Sequence, residues 1–104
     1  MPKKDDDSKV LALHPDGKQP TRIDRDKYEE MKRAMLVVIR EAGRDGAGFS
    51  ELPDAVQDRL DPEVFAGASV MWYVTTVKLD LEARGLIERV PGRGRQRLVL
   101  KKQS

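Results

Sequence analysis

The basic end of this sequence carries its clearest chemical pattern. Arg93 falls at a turn signal, and Arg95, Arg97 and Lys101 follow at positions of one parity. In an extended chain a period of two places such side chains on one face. Guanidinium groups aligned in this way suit phosphate oxygens, and each contact adds salt-dependent affinity through counterion release. Residues 86–104 hold six basic side chains against one carboxylate, net +5, whereas residues 51–85 hold three basic and seven acidic, net −4. The formal net charge of the whole is only +2, so the basic end is a local feature. It reads either as a footprint for polyanions or as a solvated tail.

Catalytic chemistry is poorly provided for. His14 is the single histidine, and it sits beside Pro15 in a turn segment. There is no cysteine, which removes disulfides, thiolate metal sites and thiol nucleophiles, and no second histidine completes a zinc set. Glu29, Glu30, Asp24 and Asp26 fall where a helix start favours acids. Gly46 and Gly48 lack the lysine that a phosphate-cradling loop needs. The expectation is a non-enzyme with no cofactor and no metal. The longest apolar run, Ala34 to Ile39, is far below the ~20 residues of a membrane span. No signal-type apolar stretch follows Lys3-Lys4, so the expectation is a cytoplasmic chain without membrane contact.

The elements that must position these groups are legible in outline. Residues 1–8 read as a polar, disordered leader, and residues 9–104 as a single domain of mainly α (α+β) class. Segment 9–23 reads as a short hairpin turning at Asp16-Gly17. Helix 24–43 starts at Asp24 as N-cap and stops at Gly43. Its apolar stripe is Tyr28, Met31, Met35, Val38, Ile39 and Ala42, at spacings of three and four. A loop over 43–48 leads to helix 50–60, capped by Ser50, with Phe65 as a core anchor beyond it. Helix 67–85 buries Val70, Val74, Val77 and Leu81 and stops at Gly85. Trp72, Leu79 and Ala83 fall nearly opposite that stripe, so a second apolar face needs a cover. Trp72 reads first as a satellite core under the N-terminal hairpin and second as a dimer or partner contact, with Leu79 beside it. Residues 86–101 read as a ribbon of two strands around Pro91-Gly92-Arg93-Gly94.

Three helices followed by a ribbon with a basic, glycine-rich tip resemble a winged helix-turn-helix. The phrase Leu81-Glu82-Ala83-Arg84-Gly85-Leu86-Ile87 resembles the passage from recognition helix to wing in bacterial winged-helix regulators. From about Val10 onward the chain also resembles a small family of uncharacterised bacterial proteins. The shared features are Asp24, Lys27 and Tyr28 at one helix start and the string from Trp72 to Gly85.

The resemblance to the uncharacterised family implies the winged-helix fold alone; the resemblance to winged-helix regulators implies a DNA-binding protein of transcription-regulator type, with double-stranded DNA as partner and a homodimer as candidate assembly. Its recognition helix would present Met71, Thr75, Lys78 and Glu82 to the groove, with Thr75 and Lys78 facing bases. Ser69 would donate to a phosphate at the helix start, and Arg93, Arg95 and Arg97 would grip phosphate from the wing. Against this stand the acidic residues Glu51, Asp54, Asp58, Asp61 and Glu63, and Asp80 and Glu82 on the helix itself. They leave a second reading open: a protein-interaction module on the same scaffold, without DNA.

Overall fold

The computed structural model describes residues 8–91, 94 and 96–101. Helix α1 (Arg25–Ala42) is the element on which the others are assembled. Its buried residues are Tyr28, Met31, Met35 and Ile39 of the expected stripe together with Ala34, while Val38 and Ala42 are partly buried at the edge. Gly43 ends the helix at φ 69° and donates its N–H to the Arg40 carbonyl. Asp24 holds the N-cap position, but its side chain caps no amide. Its carboxylate instead accepts from Lys9 and, at 3.3 Å, from Lys27. The reason is register. Asp24 is also the last residue of β2 (Thr21–Asp24), directly opposite Lys9 of β1 (Lys9–Ala12) in an antiparallel pair. The Lys9 contact, followed by Lys27, holds the Asp24 carboxyl below its usual range.

Beyond α1 a single turn of tight helix, Gly43–Asp45, leads into β3 (Ala47–Gly48). The sequence predicts only a loop here, because two residues carry no readable alternation. Pairing alone makes them a strand: Ala47 lies opposite Leu98 and Gly48 opposite Arg97. Gly46, at φ 85°, precedes them where a Cβ would stand 3.1 Å from Arg97 Cβ, the Leu98 carbonyl oxygen and Val90 Cγ2. That approach and that φ both require glycine.

Helix α2 (Leu52–Gln57) is shorter than expected. A tight turn over Phe49–Glu51 runs straight into it, so Ser50 does not cap it. At its far end the Arg59 and Leu60 amides bond only three residues back, to Val56 and Gln57, which tightens the chain out of the helix. Leu60 and Phe65 are buried in the turns that follow. Helix α3 (Val70–Ala83) is capped by Ser69. At its end Gly85, at φ 76°, donates to Glu82, and Leu86 donates to Leu81 at 2.9 Å, returning the chain to the core. Strands β4 (Ile87–Arg89) and β5 (Arg97–Leu100) complete an antiparallel sheet of order β3-β5-β4. The architecture is thus an α+β fold of three helices with two small antiparallel sheets. Its core joins Met31, Met35 and Ile39 of α1 to Leu52, Val56, Val74, Val77, Leu81, Ile87 and Leu98.

One buried charge ties these parts together. Asp80 has 0% of its surface exposed. It accepts from the Tyr28 hydroxyl at 2.6 Å, from the Leu13 amide at 2.9 Å and from Arg84 Nε at 2.8 Å. Arg84 also reaches the Leu11 carbonyl at 3.1 Å. A buried carboxylate is tolerated only when its oxygens are satisfied in this way. Burial, then the bond donated to Asp80, raises the Tyr28 phenol well above its ordinary pKa of 10.0. The neutral phenol is the form the fold favours. Its contribution to stability is therefore complete below pH 10 and lost as pH rises further. Tyr28→Phe should cost roughly 1–3 kcal/mol at neutral pH, since it removes one donor from a buried acceptor. The variant should also lose the part of the alkaline destabilisation that the native chain shows above about pH 10. Urea midpoints of both proteins across that range measure both effects.

Candidate interaction surface

Helix α3 is apolar on two sides, and the structure covers only one. Val74, Val77 and Leu81 face the core. The N-terminal hairpin docks on the flank bearing Asp80 and Arg84, through Leu13 and Leu11. The other flank, bearing Lys78 and Glu82, is closed by Phe49 and Arg89. Between the two flanks lie Trp72, Thr75 and Leu79, and Met71 adjoins them in the first turn on the Lys78 side. Met71 is 57% exposed and Trp72 45%; Thr75 is exposed and Leu79 half-buried. The reading of Trp72 as core beneath the hairpin is therefore corrected. The hairpin is held by Asp80, about 80° around the helix from Trp72 at ~100° per residue, and does not bury the indole.

The indole is nonetheless oriented. Trp72 meets Tyr73 edge-on with ring centroids 4.9 Å apart, and Tyr73 meets buried Phe65 edge-on at 5.2 Å. This ladder runs from the core to the surface and limits the freedom that Trp72 would lose on binding. The Tyr73 phenol is raised by its partial burial.

Lys78 is the second correction. Expected on the outward stripe facing bases, it is 4% exposed. Its ammonium lies 3.3 Å from Glu82 Oε1 and 5.0 Å from the centroid of the Phe49 ring, so one carboxylate and one aromatic face neutralise it. Glu82 Oε1 has that ion pair but no well-directed hydrogen bond, and Glu82 Oε2 accepts from Arg89 at 3.4 Å. A signal for this existed in the sequence. Lys78 and Glu82 are four apart beside the core stripe, and a long lysine stem on such a flank packs inward.

Ser69 lies at the surface, where its Oγ accepts from the Trp72 amide at 3.1 Å and supplies the cap. Arg97 is exposed on β5, opposite Gly48. Arg93 and Arg95 lie outside the described residues. The sequence shows Asp80 only as an unfavourable charge on α3. Its inward position could not be inferred without knowing that Tyr28 and Leu13 converge on it. His14 Nδ1 accepts from the Asp16 amide at 3.1 Å and serves the hairpin turn. Among the described residues there is no grouping of three or more side chains able to hold a metal ion, and no helix long and apolar enough to cross a membrane.

Residues 9–98 match the model of a family of unknown function. No curated protein and no solved structure matches the chain.

The Ser69 cap fixes the start of the exposed face. Ser69→Ala should cost about 1 kcal/mol, and Ser69→Asp should restore most of it. Thermal unfolding of the three proteins under one buffer condition measures the difference.

Proposed function

The chain belongs to the family of unknown function DUF6958, and from the geometry we propose that it is a winged-helix protein whose exposed α3 face binds protein. The order α1, β3, α2, α3, β4, β5 with sheet order β3-β5-β4 supports the winged-helix reading. The observation that carries the interaction reading is the open face itself. Met71, Trp72, Thr75 and Leu79 present no charge, and the indole is held in place by Tyr73. Exposed aromatics held rigidly at the centre of a patch are the usual energetic anchors of protein interfaces. The occupant that fits best is a second copy of the chain. An uncharged face meets its own copy without like-charge repulsion, and a two-fold axis through α3 would pair Trp72 with the partner's apolar stripe.

Light scattering across micromolar to near-millimolar protein should show a concentration-dependent dimer. Trp72→Glu should shift the equilibrium at least tenfold toward monomer, about 1.4 kcal/mol or more. Met71→Glu, at the most exposed position of the face, should act the same way should the first variant fold poorly. A native chain that stays monomeric throughout would refute the second copy as occupant.

The DNA reading keeps one specific observation in its favour. Arg97 is exposed, has no carboxylate partner among the described residues, and begins the strand β5. In the winged-helix arrangement that side chain would face a phosphate backbone. Anisotropy titrations with duplex DNA at about 50 mM salt test it, because phosphate contacts are strongest there. On this reading Arg97→Ala weakens binding similarly on all sequences and Lys78→Ala has no direct effect. Absence of binding at low micromolar protein would remove the reading.

A further inference from the structure

Antiparallel pairing alternates the direction in which backbone groups point. In β5, the Arg97 carbonyl accepts from Val90 and the Lys101 amide donates to Leu86, both at 2.9 Å, so odd-numbered residues bond toward β4. Leu98 and Leu100 turn their N–H and C=O groups to the opposite side. There Leu98 lies opposite Ala47 of β3, but nothing continues the pairing to Leu100. The chain before β3 has already turned away into Gly43–Asp45. No described backbone group pairs with Leu100 on that side.

Where the strand would have continued there is a hollow of about 390 Å³, lined by Ile39, Arg40, Gly43, Arg44, Val99 and Leu100. One wall is apolar. The other carries Arg40 and Arg44, both exposed and neither within ion-pair distance of a carboxylate among the described residues. Two guanidinium charges outweigh the roughly −0.5 charge that the end of α1 contributes nearby. A free strand edge, an apolar wall and two cations with no carboxylate partner among the described residues converge on one small volume.

We propose that this hollow binds the carboxylate end of a peptide-like ligand. The ligand's amide pairs with the free edge at Leu100, and its apolar side chain packs against the exposed Leu100 side chain. Its carboxylate is received by Arg40 and Arg44. The volume is near the lower end of ligand-sized cavities, so the site takes a terminal residue or two and not a long segment. A free N-acyl amino acid and the C-terminus of a protein share this chemistry.

Titration of the isotopically labelled chain, followed by amide chemical shifts, tests the site. The probes are N-acetyl-leucine, a short peptide ending in leucine with a free carboxylate, and the same peptide as its terminal amide. Both acids should give saturable shifts at Gly43, Arg44, Leu100 and Lys101. The amide should bind at least tenfold more weakly, and Arg40→Ala combined with Arg44→Ala should abolish the shifts. A peptide acid about tenfold tighter than N-acetyl-leucine assigns the site to protein termini; equal affinities assign it to the small acid. The proposal is overturned by absence of saturable shifts up to about 10 mM. It is overturned equally when the amide binds as well as the acid, or when the double variant binds like the native chain. Binding should persist in Trp72→Glu, which separates this site from the α3 face.

Discussion

A carboxylate with no exposed surface must be surrounded by donors, and Asp80 draws them from three parts of the chain. Tyr28 comes from α1, Leu13 from the N-terminal hairpin, and Arg84 from the next turn of α3 itself. Isolated, such a charge would cost several kcal/mol of desolvation. Satisfied, it fixes how the helix is rotated about its own axis. With Asp80 on the inner flank and Val77 and Leu81 in the core, the 3.6-residue repeat leaves Trp72, Thr75 and Leu79 nowhere to point but outward. The open apolar face follows from the placement of one acid.

The opposite flank obeys the same rule with weaker groups. Lys78 is removed from solvent by Glu82 and Phe49, and Glu82 is shared with the more exposed Arg89. Every charge on α3 is thereby engaged with a neighbour. Charge available to an outside partner lies elsewhere, on Arg97 of β5 and on Arg40 and Arg44 at the end of α1. The uncharged surface of α3 and the cationic surfaces of the sheet and of α1 are consequently separate features with separate chemistries.

The parts of the fold that were legible in the sequence are those governed by local rules. The stripe Tyr28, Met31, Met35 and Ile39 marked α1, and Gly43 marked its end. Gly85 marked the end of α3, whose start falls at the Ser69 cap and not at Gly67; Leu98 turns inward as its alternation requires, while Leu100 on the same face is 40% exposed. The illegible parts depend on partners distant in sequence. β3 is a strand only because Leu98 and Arg97 lie beside it, and Asp24 fails as a cap because Lys9 stands opposite. The exposure of Trp72 and the burial of Lys78 share this origin. Helical phase placed one far from the core stripe and the other near it, but only the docking of the hairpin and of Phe49 decided which flank was covered. For the interaction surface, residue identities were readable and their exposure was not.

The hub around Asp80 also orders events in time. Ribosomal synthesis delivers β1, β2 and α1 first, and the turn at Gly17 lets the two strands pair as soon as they emerge. The bond that anchors them joins residues 67 apart in sequence, and the bond from Tyr28 spans 52. Until α3 has left the ribosome, the hairpin has no acceptor to hold it and Tyr28 no carboxylate to meet. The nascent chain therefore carries the hairpin without its Asp80 and Arg84 anchors, and closes these long loops only after α3 has followed.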